Sequence, residues 1–465
     1  MRNKKLIVML LSLLALAAVS VLFVAACGGT TTTTAAPATT TTAGPATTAG
    51  PTTTAGPTTT AAGETTTSAA AAGDNLVIGA INSLSGSNAL TGEEEKWAQE
   101  KAIADINAKG GLLLKDGKMH KLALKFVDDR SSPQDGASAM EQLIKSDNIK
   151  VVLSSNITPI NQAAATVAEQ YGAYFDIVSS WVDQPFPDGT GPSFIGGMKL
   201  KWSSDMFEAA VESGKVAVGG AMALDPADQP KKWAVMVENT PDGIGFGDAT
   251  AAGLKAQPGW TVASYEKFTE GQKDFSSIIL KFKQAGVEGV VTLIAPSDGI
   301  TFVKQMKEQN WSPKYFFGYK GIWPADIPKV LGADAVGLCY DGFWSETLPF
   351  PYAKELGAAF SADHGGATSN SAGLYYAGVQ ILAQAIETAG VFEPGAIRDQ
   401  VFGHTFKGTV MGDVTYGAYY ADNPGIAHIP FLSFQWGPDG KRVVLFPTQY
   451  ATGKAAAFVP WDQRK

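Results

Sequence analysis

Two runs of polar residues come directly after predicted strands, where a small molecule could bind. The first, Ser154-Ser155-Asn156-Ile157-Thr158-Pro159, follows a strand predicted to end near Leu153. Thr158 suits the N-cap of a helix, and Pro159 suits its first position. Because a helix start offers free N–H groups and partial positive charge, this run predicts an anion site. The alternative is that Thr158 only caps its helix, a role worth about 1 kcal/mol.

The second run is Ser179-Ser180-Trp181, which follows the next predicted strand. Ser85 begins a third polar turn, Ser85-Gly86-Ser87-Asn88, after the first strand of the series. Ligands of open α/β sheets bind beyond the carboxyl ends of the strands, so all three turns are candidate ligand contacts. Trp181 suits either stacking on a flat ligand or filling space in a cleft, and the sequence does not decide between them.

The sequence contains no arrangement typical of catalysis or metal binding. The 4 histidines are isolated from one another and from cysteine pairs. No G-x-S-x-G, P-loop or His-Glu-x-x-His motif is present. The run Gly243-Ile244-Gly245-Phe246-Gly247 lacks the two-residue gap of a dinucleotide fingerprint, so it predicts a strand-to-helix turn. We therefore expect a binding protein that uses no cofactor and no metal, rather than an enzyme.

Composition and charge argue against a nucleic-acid partner. The 465-residue chain has a formal net charge of −8, and only 17% of its residues are charged. An acidic surface without basic clusters does not attract nucleic acid. The chain has 2 cysteines, Cys27 and Cys339, and Cys27 lies in the leader. No disulfide is therefore expected within the folded part, and the apolar surroundings of Cys339 predict burial.

The N-terminus has the pattern of an export signal. Basic residues precede an apolar stretch from Leu6 to Ala26, and Val24-Ala25-Ala26-Cys27 is typical of a bacterial lipoprotein cleaved before a lipid-bearing Cys27. The alternative is an uncleaved signal anchor, because the apolar stretch is nearly long enough to span a bilayer. Both alternatives place the protein outside the cytoplasm. Residues 1–27 are thus the signal and lipidation site, and the Thr/Ala/Pro/Gly-rich residues 28–73 predict a disordered tether.

From residue 74 onward, predicted strands and helices alternate. Thr91 and Glu94 form a capping-box pair that predicts the start of the first helix. The predicted strands form two series: Leu76 to Ile81, Leu122 to Val127, Val151 to Leu153 and Tyr174 to Val178, then Trp233 to Val237, Val262 to Tyr265, Val290 to Ile294 and Tyr315 to Phe317. This alternation predicts an α/β protein with parallel sheets, arranged as two Rossmann-like lobes.

Several motifs resemble the start of the type I solute-binding proteins. They are Ile78-Gly79, Leu84-Ser85-Gly86, Gly92 and Asp105-Ile106-Asn107-Ala108-Lys109-Gly110-Gly111. The closest kind is the branched-chain amino-acid (Leu/Ile/Val) binding component of ABC importers. The resemblance covers residues 76–465 and implies chain crossings near 198, 344 and 430. It thus implies that lobe one is 74–198 plus 345–429, that lobe two is 199–344 plus 430–465, and that a three-stranded hinge and a ligand cleft lie between them.

The resemblance also implies ligand contacts. In the family, a hydroxyl residue at the position of Thr158 binds the ligand's carboxylate, and the Ser179-Ser180 turn binds it too, although Trp181 replaces a hydroxyl there. The lobe-two contacts correspond to Ile244, Ala295 and Lys320. In amino-acid binders two of these are usually aromatic and the third acidic, to pair with an ammonium. Here they are apolar, apolar and basic.

The difference between these residues and those of amino-acid binders affects which ligand the cleft can bind. A lysine facing an ammonium in a desolvated cleft repels it, and such a contact costs several kcal/mol. We therefore expect a small organic acid that is either aromatic, because of Trp181 and Trp323, or carries a second acidic group that meets Lys320. The alternative is that Lys320 extends to solvent while Asp242 or Asp298 holds an ammonium, which would leave an amino-acid binder.

Together these patterns predict a monomeric, extracytoplasmic, lipid-anchored protein that captures an amino acid or related small organic acid and delivers it to ABC permease subunits. The same module could instead sense its ligand and signal to a membrane receptor. Neighbouring permease genes would favour transport, and a neighbouring kinase or chemoreceptor gene would favour sensing.

Overall fold

The computed structural model describes residues 70–180, 184–185, 192–193, 200–207, 210–418, 423–429 and 431–464. Two extended sheets with helices packed on their faces organise these residues. The predicted α/β architecture of two Rossmann-like lobes is therefore confirmed. The leader with Cys27, most of the tether 28–73, and Trp181 lie outside the described residues.

The first lobe is built on a six-stranded sheet in which every neighbouring pair is parallel. In spatial order its strands are Ile426–Ala427, Ser203–Met206, Tyr174–Ile177, Val151–Leu153, Leu76–Asn82 and Leu122–Asp128. The central strands are buried, because helices cover both faces of a parallel sheet. Since Ser203–Met206 belongs to this sheet, the first lobe extends past residue 198, where the first crossing is expected.

The second lobe is built on a seven-stranded sheet in which one strand, Leu432–Trp436, is antiparallel to both of its neighbours and the other neighbouring pairs are parallel. In spatial order its strands are Thr261–Phe268, Lys232–Glu238, Gly289–Leu293, Tyr315–Gly318, Leu338–Gly342, Leu432–Trp436 and Arg442–Phe446. Cys339 lies in the buried strand Leu338–Gly342, as its apolar surroundings predict, and burial raises the pKa of its thiol to about 12. A thiol of this kind stays protonated and packs as a small apolar group.

Helices cover both sheets. Those of the first lobe are Ala89–Ala108, Pro133–Lys145, Thr158–Tyr171, Ala353–Asp363, Ala372–Ala389 and Pro394–Val401. Those of the second lobe are Ala210–Met222, Pro241–Lys255, Ser276–Gln284, Pro296–Glu308 and Ile327–Leu331. Short 3-10 helices follow at Lys320–Ile322, Gly332–Ala335, Thr448–Tyr450 and Trp461–Gln463. Smaller sheets contain Ala71–Ala72 with Leu112–Leu113 and Lys118–His120, Gln184–Pro185 with Pro192–Ser193, and Thr405–Thr409 with Gly412–Thr415.

The first helix begins earlier than the sequence predicts. Its first residue is Ala89, and the carbonyl of Asn88 accepts hydrogen bonds from the N–H groups of Thr91 and Gly92. Thr91 and Glu94 are therefore inside the helix, and the capping-box prediction is wrong. The helix packs closely on the end of the first strand, because a Cβ at Gly92 would lie 2.0 Å from the carbonyl oxygen of Ser83. Only glycine permits this approach.

Candidate functional site

A cavity lies between the lobes, and we call it the interlobe cavity. Its first-lobe wall consists of Asn156, Ile157, Thr158, Ser179 and Phe207. Its second-lobe wall consists of Phe246, Leu293, Lys320 and Trp323. Most of these residues follow or end parallel strands, as expected for a ligand site of open α/β sheets.

Some of the predicted binding residues line the interlobe cavity: Thr158, Ser179, Lys320 and Trp323. Others do not line it: Ser85, Ser180, Ile244 and Ala295. The hydroxyl of Ser85 instead donates to Asp128 Oδ2 at 2.6 Å, and Ala295 is the N-cap of the helix Pro296–Glu308. Trp181 lies outside the described residues.

Sequence reasoning missed other residues of the wall. Asn156 lies within the predicted polar run, so its amide could have been considered as a ligand contact. Phe246 lies in the turn that was assigned only a structural role. Phe207 and Leu293 are apolar, and nothing in the sequence distinguishes them from core residues.

The first-lobe wall is held by hydrogen bonds around Asn161. The N–H of Ser155 donates to Asn161 Oδ1 at 3.0 Å, and Asn161 Nδ2 donates to the Ser155 carbonyl at 2.8 Å and to Ser180 Oγ at 2.9 Å. Ser179 Oγ also donates to the Ser155 carbonyl, at 3.0 Å. The turns after two neighbouring strands are thus fixed to each other. Ser180, although outside the cavity, positions Ser179 within it.

Thr158 is placed differently from the sequence prediction. It is the first residue of the helix Thr158–Tyr171, and Ile157 is the N-cap and makes no side-chain cap hydrogen bond. The predicted capping position is therefore one residue off. Thr158 still lies at a helix start, where the backbone dipole favours negative charge.

Two buried carboxylates lie behind this wall. Asp129 accepts from Ser155 Oγ at 2.5 Å and from Ser83 Oγ at 2.8 Å, while burial raises its pKa. Glu95 accepts from Asn156 Nδ2 at 3.2 Å. Burial first, and then the charge of Asp129, raises the pKa of Glu95 well above its usual value. The cavity wall thus rests on a polar network rather than on apolar packing alone.

On the second-lobe wall, Lys320 is buried and paired. Its Nζ lies 2.7 Å from Glu238 Oε2, and the two side chains are 5% and 1% exposed. The alternative in which Lys320 extends to solvent is therefore wrong. Asp298 is also buried, accepts from the N–H of Gly271 at 2.6 Å, and has a pKa raised by burial. The side chain of Asp242 is outside the described residues.

Aromatic rings form the apolar part of the wall. Trp323 Nε1 donates to Asp341 Oδ1 at 2.5 Å, which fixes the indole, and burial raises the pKa of Asp341 well above its usual value. The ring of Phe343 lies edge-on to Trp323, with 5.0 Å between centroids, and also contacts Phe207 at 4.8 Å. Phe246 packs edge-on to Tyr319 at 4.8 Å. Rings held in this way present a rigid surface to a flat or branched apolar group.

Hydrogen bonds also connect the lobes directly. The N–H of Ala325 in the second lobe donates to Glu94 Oε1 at 2.5 Å, while Ser369 Oγ, in the first lobe like Glu94, donates to Glu94 Oε2 at 2.5 Å. Ser87 Oγ donates to Glu270 Oε1 at 2.7 Å. Burial raises the pKa of Glu94 in spite of the hydrogen bonds from Ala325 and Ser369. Glu94, which was assigned a capping role from the sequence, therefore bridges the lobes.

Within the described ranges, no group of three or more His, Cys, Asp or Glu side chains is placed to hold a metal ion. Among the same residues, none of the helices combines the length and apolarity needed to cross a membrane.

Comparison with known proteins identifies the family. A profile described as periplasmic binding protein matches residues 75–453. The Leu/Ile/Val-binding protein homolog 2 of Brucella abortus (strain 2308) is 27% identical over 345 residues, covering 74% of this chain and 85% of that protein.

Solved structures share the fold. The branched-chain amino acid transporter substrate binding protein LivJ of Streptococcus pneumoniae, in complex with isoleucine, has a TM-score of 0.66 at 20% identity, covering 80% of this chain and 100% of that one. A solute binding protein of an ABC transporter from Rhodopseudomonas palustris BisB5, in complex with 3,4-dihydroxybenzoic acid, has a TM-score of 0.63 at 18% identity, covering 83% and 98%. The chain therefore belongs to the periplasmic binding protein family, as a type I member related to the branched-chain amino-acid binding proteins.

Proposed function

We propose that this protein is the lipid-anchored substrate-binding component of an ABC importer, capturing a small organic acid or an amino acid in the interlobe cavity. The main supporting observation is that residues of both lobes line the same cavity. A ligand that contacts both walls favours the closed arrangement, and a permease can distinguish that arrangement from the open one. The broad function, a substrate-binding protein of the ABC-transporter type, follows from the family itself.

The first-lobe wall favours a carboxylate on the ligand. Thr158 lies at a helix start, and the hydroxyl of Ser179 lies on the same wall. A carboxylate there gains charge-assisted hydrogen bonds and a favourable interaction with the helix dipole. Both chemical classes of ligand under consideration carry this group.

The net charge of the second-lobe wall does not distinguish an organic acid from an amino acid. The expected repulsion of an ammonium assumed a lysine without a counter-ion, whereas Lys320 and Glu238 form a pair of zero net charge. The aromatic rings around Trp323 and Phe246 favour a ligand with an aromatic or branched apolar body. We place an organic acid, aromatic or aliphatic, ahead of an amino acid, because the described residues that line the cavity include Lys320 and no carboxylate to pair with an ammonium. The Brucella and Streptococcus relatives support the second class, and the Rhodopseudomonas protein supports the first.

Calorimetry with leucine, phenylalanine, their deaminated analogues and benzoate tests this proposal. We expect micromolar binding of at least one acid, weakened about tenfold by Thr158→Val, because a charge-assisted hydrogen bond is lost. Thr166→Val, an exposed position on the same helix, is the matched control and should leave affinity unchanged. Binding of the amino acids alone would refute the preference for an acid. Equal effects of the two valine variants would refute the role of Thr158.

We further propose that lobe one comprises 74–198 plus 345–429, extended to Met206 by its sheet, and that lobe two comprises the rest of the folded chain to 465. The chain segments that join the two sheets then form a three-stranded hinge near residues 207, 344 and 430. Three connections permit bending but little translation. Small-angle scattering should show a smaller radius of gyration when a ligand identified by calorimetry saturates the protein. An unchanged radius would contradict closure.

A further inference from the structure

The side-chain oxygen of Asn156, Oδ1, has no role in the interactions described so far. The residue is 3% exposed and lines the cavity. Its Oδ1 is buried and, among the described residues, has no hydrogen-bond partner. Burying an amide oxygen in this way is unfavourable unless something donates a hydrogen bond to it. A ligand in the cavity is the available donor.

The orientation of the Asn156 amide follows from Glu95. Asn156 Nδ2 lies 3.2 Å from Glu95 Oε2, and Gln99 Nε2 donates to Glu95 Oε1 at 3.3 Å. The 3.2 Å contact places the amide nitrogen toward the Glu95 carboxyl group. The amide oxygen is therefore the atom left for the cavity. Glu95 is a positioning residue, because it acts through Asn156.

We propose that Asn156 Oδ1 accepts a hydrogen bond from the ligand, so that the site selects hydroxy or amino acids over acids of the same shape without a donor. This inference rests on the proposed function, because it concerns the same cavity. It adds a requirement that neither the helix start nor the neutral Lys320–Glu238 pair imposes. The helix start recognises negative charge, whereas Asn156 recognises a donor on the same small molecule.

The test compares ligands that differ by one hydroxyl or ammonium group, each of which can donate a hydrogen bond. One set is 4-methylpentanoate, 2-hydroxy-4-methylpentanoate and leucine. A second set is benzoate with 3-hydroxybenzoate and 4-hydroxybenzoate. In the full-length protein, we expect at least one ligand with a donor to bind about tenfold or more tightly than its parent acid, because the parent leaves Asn156 Oδ1 unpaired.

In Asn156→Leu, which removes the acceptor at similar volume, the affinity ratio within each set should fall to about one. A merely structural defect would weaken both members of a pair together and leave their ratio unchanged. Asn156→Ala provides a second variant if the leucine side chain next to Glu95 prevents folding. Glu95→Gln should lower the ratio partially. A glutamine amide can both donate and accept hydrogen bonds, so it permits either orientation of the Asn156 amide.

The outcomes are distinguishable. If no acid or amino acid binds the unaltered protein, the proposed function fails and this inference fails with it. If ligands bind but parent and donor-bearing acids have equal affinities, only the inference is overturned. A ratio that persists in both Asn156 variants also overturns it. A preference for ligands that carry an extra acceptor would mean that the amide is reversed, and would overturn it as well.

Discussion

The buried pair of Lys320 and Glu238 yields the sharpest prediction for stability. Replacing Lys320 with Met removes the cation and leaves a carboxylate that is 1% exposed without its counter-ion. An uncompensated buried charge is costly, and breaking such a pair lowers the free energy of unfolding by about 3–5 kcal/mol. Replacing both residues, as Lys320→Met with Glu238→Leu, removes the charges and their desolvation cost together. We expect the double variant to be within about 1 kcal/mol of the unaltered protein.

A surface pair provides a matched control. Lys314 and Glu288 lie 2.8 Å apart, close to the 2.7 Å of the buried pair, but their side chains are 47% and 31% exposed. Exposed pairs contribute about 0–1 kcal/mol, because water screens them. The same double-mutant cycle at these positions should therefore give a coupling energy below about 1 kcal/mol.

Equilibrium urea unfolding at pH 7 measures both cycles. We expect a coupling energy of about 3 kcal/mol or more for the buried pair. Additive effects at Lys320 and Glu238 would refute the reasoning, because they would mean that neither charge depends on the other. Equal coupling in the two cycles would also refute it, since burial would then not be the cause.

Three further predictions concern pH, the lobe bridge and the anchor. Burial raises the pKa of Asp176 to about 7, so its proton is bound more tightly in the folded protein. The contribution of this group to stability should fall by up to about 4 kcal/mol as pH rises from 4 to 7, and Asp176→Asn should reduce the dependence of urea unfolding on pH accordingly. A variant as pH-dependent as the parent would contradict this. Glu94→Ala removes the acceptor of the Ala325 N–H, so scattering should show a larger ligand-free radius than for Glu100→Ala at an exposed position; equal radii would count against the bridge. Cys27→Ser should abolish incorporation of labelled fatty acid, and continued labelling would disprove the lipid anchor.

The sequence predicts the elements well because their signals are local. The apolar runs at Leu76 to Ile81 and Val151 to Leu153 are too short for helices, and both are strands. The polar turn that contains Thr158 also lies at the cavity, because the carboxyl ends of parallel strands meet at one edge of a sheet. Such predictions need only spacing and the geometry of the βαβ unit.

Partnerships across the fold could not be predicted in this way. Lys320 and Glu238 are separated by 82 positions, and nothing near either residue indicates the other. Glu94 shows the opposite error, because its spacing from Thr91 fits a capping box. Its carboxylate instead meets Ala325, 231 positions away. A motif that fits locally can thus be overruled by tertiary contacts.

The edge strand Ile426–Ala427 has a consequence for biosynthesis. It completes a sheet whose other strands lie between Leu76 and Met206, and the helix Ala372–Ala389 packs on the helix Ala89–Ala108. The first lobe therefore cannot finish folding until nearly the whole chain is available. While the chain is incomplete, apolar strands of that lobe lack their late partners, which exposes them to aggregation and proteolysis. A truncation before Ile426 should accordingly yield no native first lobe.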